Sequence, residues 1–104
     1  MKVIEVNSSN FEQEVLKSGV PVIVDFNADW CGPCRMLKPV LDEAAAENDG
    51  FKIASVNVDR EQDLAFEYGI SSIPCLVVIK DGQEIRRSVG LIGKEQLLAL
   101  VGGV

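Results

Sequence analysis

Apolar and polar positions divide the chain into alternating strand-like and helix-like segments. Val3 to Val6 forms a short strand candidate. Ser9 and Glu12 have the spacing of a capping box. Phe11, Val15 and Leu16 then form a helical stripe that ends near Gly19. Val20 to Phe26 (VPVIVDF) is almost continuously apolar and rich in β-branched residues, the pattern of a strand covered on both faces. Asn27 to Pro33 has the composition of a turn. From Cys34 to Asn48, the positions of Leu37, Val40, Leu41, Ala44 and Ala45 trace one face of a 3.6-residue helix. Pro39 lies inside that pattern and predicts a kink. Asp49-Gly50 closes the helix, and Phe51 to Val58 reads as the next strand.

A shorter helix follows over Gln62 to Tyr68 and stops at Gly69. Cys75 to Lys80 and Glu84 to Val89 flank Asp81-Gly82, a dipeptide suited to a tight hairpin. Gly93 to Val101 is a last helix with Leu97, Leu98 and Val101 turned inward, and Gly102-Gly103 predicts a frayed end. Strands that alternate with helices need crossovers. The class is therefore α/β, with a central mixed β-sheet of about five strands covered on both faces by about four helices. With no repeat, linker or low-complexity tract, residues 1–104 read as one domain.

Charge narrows the range of partners. Ten basic residues face sixteen acidic ones, for a net charge of −6, and no basic run occurs. Nucleic acid and anionic membrane surfaces are disfavoured, because both need a basic patch. No segment approaches the length of a membrane span. The N-terminal apolar stretch is broken by Glu5, too early for a secretion signal, so the expected compartment is the cytoplasm. Structural disulfides are rare there. Three cysteines and no histidine also argue against a disulfide framework.

The remaining candidates for chemistry cluster around Trp30-Cys31-Gly32-Pro33-Cys34, between a buried strand and a helix start. If Cys31 is the N-cap, Cys34 stands at the third helical position, near enough for a disulfide. Unpaired N–H groups and the helix dipole at that end favour a thiolate, which makes Cys31 the candidate nucleophile. A purely structural disulfide is the bland alternative, yet so small a loop gains little entropy. A zinc half-site is another, and it lacks the usual four ligands, so no metal is expected. Asp25 interrupts an apolar strand. Burial would raise its pKa and suit it to exchange a proton with Cys34; a half-exposed strand-end carboxylate is the other reading. Pro74 precedes a strand either as a plain initiator or as a cis proline that exposes the backbone of Ile73.

On these residues the chain resembles the thioredoxin family nearly end to end. Val24 to Ala45 (VDFNADWCGPCRMLKPVLDEAA) is similar to the family's active-site strand and helix. The resemblance implies the thioredoxin fold, with Cys31 attacking, Cys34 resolving and Asp25 as the buried acid. Cys31 and Cys34 would form a redox-active disulfide. Pro39 matches the kinking proline, Ile73-Pro74 the cis-proline loop and Gly82 the hairpin. Trp30, Gly32, Pro33, Ile73, Pro74 and Gly90 are implied as substrate-binding positions. Gly32-Pro33 is the dipeptide typical of reductants of this fold. The implied activity is reduction of protein disulfides, followed by re-reduction by a thioredoxin reductase. That partner is an NADPH-dependent flavoprotein; the chain itself shows no nucleotide motif and is expected to bind no cofactor. Nothing requires more than a monomer.

Three positions depart from the family pattern. Asn27 stands where an aromatic residue is common, a difference expected to touch packing rather than chemistry. Ser55 replaces a lysine frequent near the buried acid, which should leave Asp25 governed by burial. Cys75 replaces a threonine directly after Pro74. It reads as an incidental substitution, as a regulatory thiol that pairs with Cys31 or takes glutathione, or as a ligand of a metal or iron–sulfur cluster shared with Cys31 and Cys34. Two rival classes remain: a binding module without catalysis, and, among enzymes, an isomerase or a glutaredoxin.

Overall fold

The computed structural model describes residues 1–104. Its sheet has five strands in the order β1-β3-β2-β4-β5, where β1 is Ile4–Glu5, β2 Val22–Asn27, β3 Lys52–Asn57, β4 Cys75–Lys80 and β5 Gln83–Val89. β3 pairs parallel with β1 and β2, and β4 pairs antiparallel with β2 and β5. The helices are a π-helical turn at Glu12–Leu16, α1 at Gly32–Glu47, α2 at Gln62–Glu67 and α3 at Lys94–Leu100. This is the mixed five-stranded, four-helix α/β arrangement that the sequence pattern predicts.

Side chains alternate across a strand, so each residue of β2 has an assigned face. Val22, Val24 and Phe26 join Cys75, Val77 and Ile79 of β4 against Phe11, Val15 and Leu64. Ile23 faces the other way, with Ile53, Leu76 and Val78, against Leu37, Leu41, Ala44 and Ala45 of α1 and Leu97 of α3. Burying each such side chain is worth about 1.5–3 kcal/mol. By the same parity, Asp25 and Ser55 lie on the α1 side, and Cys75 lies on the opposite side. α1 continues unbroken through Pro39.

Several local expectations change. Ser9 does not cap the first helix. No side chain caps it; Asn7 closes the turn before it, its Oδ1 accepting the backbone N–H of Ser9 at 2.9 Å and of Asn10 at 3.2 Å, together with the Ser9 hydroxyl at 2.6 Å. That turn consumes the Ser9 side chain as a donor. The first strand shrinks to two residues, while Asn27 ends β2 instead of opening a turn. α1 begins two residues early, at Gly32, since Pro33 needs no N–H partner in a first turn. The C-terminus is not frayed. Arg86 of β5 donates to the carbonyls of Ala99, Leu100 and Gly102 at 2.8–3.1 Å and holds the end of α3. The hairpin is as tight as expected, with φ of 52° at Asp81 and 78° at Gly82. β5 is the outer edge of the sheet and is largely exposed.

Candidate active site

Cys31 is the N-cap of α1, in extended conformation, and its Sγ accepts the backbone N–H of Cys34 at 3.2 Å. The two cysteines are joined by a disulfide with Cα atoms 5.2 Å apart, inside the ordinary range for such bridges. Both are buried, packed with Ala28 and against Val58 and Ile73. The helix end points its free N–H groups and positive dipole at Cys31, which favours negative charge on its sulfur once the bridge opens.

The Ile73–Pro74 peptide bond is cis. Ile73 packs against the disulfide, and the Pro74 carbonyl accepts the Gly90 N–H at 2.8 Å, which draws the end of β5 to the same place. Gly90 has φ of 100°, a conformation that a side chain would strain. Trp30 is 69% exposed, and its indole N–H donates to Asp59 at 2.9 Å, so a broad apolar surface is held in place beside Cys31.

Asp25 is buried at 4% exposure, not half-exposed, and burial pushes its pKa up to about 7. The amide of Asn27 opposes that rise by donating to Asp25 Oδ2 at 3.1 Å. Glu5 reinforces the rise and Lys38 opposes it. Oδ1 has no partner. An open groove of about 660 Å³ runs past Asp25, Asn27, Ser55, Lys38 and Cys34. Asn27 therefore touches the buried acid, which corrects the expectation that its change concerns packing alone.

Residues 2–102 match the thioredoxin family model. The chain is 44% identical over 100 residues to the thioredoxin of Pseudomonas aeruginosa, covering 95% of this chain and 93% of that one. It is 50% identical over 93 residues to thioredoxin 1 of Synechococcus elongatus, covering 88% and 87% of the two chains. Thioredoxin 1 of a Nostoc species is likewise 50% identical over 94 residues, covering 89% and 88%. The chain belongs to the thioredoxin family. It is a thiol–disulfide oxidoreductase with protein-disulfide reductase activity, and Cys31–Cys34 is its active-site disulfide.

Against that thioredoxin frame, Cys75 is set apart. It is 1% exposed and packs in the cluster with Val24, Phe26 and Val77, on the sheet face away from Asp25. Burial raises its thiol pKa. No group of three or more cysteine, aspartate or glutamate side chains is arranged to hold a metal ion. No helix is long and apolar enough to cross a membrane. Asp59 carries no signal in the sequence pattern, and Ser55 only that of a missing lysine near Asp25. Their partners, Trp30 and Asn27, lie 29 and 28 positions away, and only the β2–β3 register brings them together.

Proposed function

We propose that Cys31 is the attacking thiolate and Cys34 the resolving thiol, with Asp25 taking the proton from Cys34. Cys31 attacks one sulfur of a substrate disulfide and forms a mixed disulfide. Cys34 then gives its proton to Asp25 and attacks Cys31 Sγ. The reduced substrate leaves, and the Cys31–Cys34 bridge closes. The observation that carries this order of events is the placement of Cys31 at the cap of α1, with Cys34 beside it on the same groove as the buried Asp25. A carboxyl near pKa 7 both accepts and returns a proton at neutral pH.

Trp30, Gly32, Pro33, Ile73, Pro74 and Gly90 form the docking surface, where an extended substrate segment lies beside the Ile73–Pro74 loop. Electrons come from NADPH through a partner flavoprotein, a thioredoxin reductase, and the chain itself holds no cofactor or metal. Residues 1–104 act as one domain, as a monomer, in the cytoplasm. Cys75 serves as packing with regulatory potential only when the core opens. The deciding experiment is Cys34→Ser in the presence of disulfide-containing proteins. Stable mixed disulfides on Cys31 are expected; if none accumulate, Cys34 is not the resolving thiol.

A further inference from the structure

Asn27 Nδ2 lies 2.9 Å from the Asp25 carbonyl oxygen, 3.1 Å from Asp25 Oδ2 and 2.8 Å from Ser55 Oγ. The Asp25 carbonyl can only accept, so the amide nitrogen, not its oxygen, is turned to this side. The arrangement follows from the sheet. Asp25 and Ser55 are register partners in the β2–β3 pair, and Asn27 is two residues further along the same face as Asp25. Oδ1 is left buried and without a partner, on a carboxylate that lines the same groove as Cys34.

We propose that Asn27 is a positioning residue for proton transfer: its amide holds Asp25 Oδ2 as an acceptor, anchored to Ser55, so that the proton leaving Cys34 is carried on Oδ1. This rests on the role of Asp25 as base and adds which oxygen takes the proton and which neighbour decides it. A proton on Oδ2 would set an O–H against the Asn27 N–H and cost that hydrogen bond. In the step itself the Cys34 S–H bond breaks and an O–H bond forms at Oδ1. The Cys34 sulfur pair then displaces the substrate sulfur from Cys31. The substrate is reduced and the dithiol oxidised. Oδ1 keeps this proton until the bridge is next reduced and returns it to the Cys34 thiolate, and the departing substrate thiolate takes a proton from solvent.

Other groups around Asp25 do not replace this contact. From β1, Glu5 disfavours the carboxylate; from α1, Lys38 favours it, but Lys38 is also 3.4 Å from Asp42. α1 also brings Cys34, Arg35 and Asp42 to the groove and the loops add Asp29, Arg60 and Glu61, β3 contributes the uncharged Ser55 and Asn57, and Cys75 of β4 is on the other face. Among the influences that lower the Asp25 pKa, the Asn27 hydrogen bond comes before Lys38.

The test follows the Asp25 carboxyl by NMR across pH, alongside the rate at which Cys34 releases substrate from Cys31. In Asn27→Leu both midpoints should move up by about one pH unit. Ser55→Ala should move them less, in the same direction, and Asn27→Gln should return part of the shift. Asn27→Val provides the same measurement if the leucine variant does not fold. A folded Asn27→Leu or Asn27→Val protein with an unmoved midpoint overturns the proposal. Asp25→Asn separates the two levels. If it leaves the rate profile unchanged, Asp25 is not the base and the proposal fails with it. If it abolishes the inflection while Asn27→Leu leaves it unmoved, only the role of Asn27 fails.

Discussion

β2 and β4 are antiparallel neighbours at the centre of the sheet, and their burial is nearly identical. Val22 to Phe26 and Cys75 to Ile79 are each between 0% and 4% exposed. Their chemistry differs at one pair, where Asp25 of β2 stands opposite Leu76 of β4. β4 gains from every side chain it buries. β2 gives up part of that gain at Asp25, where lifting a carboxyl from 3.8 to about 7 corresponds to about 4 kcal/mol against the ionised form. The destabilising residue sits on the groove shared with Cys34. β4 is thus apolar along its length, while the end of β2 gives up stability at the carboxyl proposed as the proton site.

The largest effect that would sharpen this contrast is on turnover. Cys31→Ser is expected to reduce insulin-disulfide reduction to the uncatalysed background, whereas Cys75→Ser on β4 keeps it; loss in both would make β4 part of the chemistry. Next comes stability against pH. The folded state holds a proton on Asp25 that the unfolded chain releases. Stability therefore falls as pH rises from about 4 to about 7, by about 4 kcal/mol from this group. Denaturant titrations of Asp25→Ala should show that decline removed and a protein more stable than the parent at alkaline pH. A decline equal to the parent's would place the titrating group elsewhere. Leu76→Ala, directly across the ladder, is expected to cost about 3 kcal/mol at every pH, because it leaves a cavity and no charge. A pH-dependent cost there would mean that the two positions are coupled. The smallest effect is the stability change in Cys75→Ser, about 1 kcal/mol for a hydroxyl in an apolar cluster.

What could be read from the sequence follows the range of each interaction. The Cys31–Cys34 pair, the buried strands and the Asp81-Gly82 hairpin are set by neighbours a few residues apart, and the linear pattern carried them. Burial of Asp25 was one of two open readings: the apolar residues around it imply cover on both faces, but its place near the strand end also allowed a half-exposed carboxylate. The Asn27–Ser55 contact was not, since it depends on strand register rather than composition. Ser9 misled because its spacing to Glu12 fits a capping box, while Asn7, two residues before it, offers a better-placed acceptor. Gly102-Gly103 suggested a loose end only because Arg86, sixteen positions earlier, is invisible to a local pattern. The Ile73–Pro74 isomer was left open because both isomers share one sequence.

β5 also bears on how the molecule avoids its own kind. A sheet with a bare outer strand invites another strand to add along it. Here that strand carries Glu84, Arg86 and Arg87, with an irregular register between Val78 and Ile79 on its partner. Arg87 is further engaged with Glu84 and the Tyr68 carbonyl. The charged border discourages fibril-like stacking, yet it gives way at Val89 and Gly90, where the edge meets the Pro74 loop. On the docking proposed for the Pro74 loop, an extended client would enter at the Val89 end of this seven-residue strand and be turned away along the rest, so self-association and client capture would fall to different stretches of one edge.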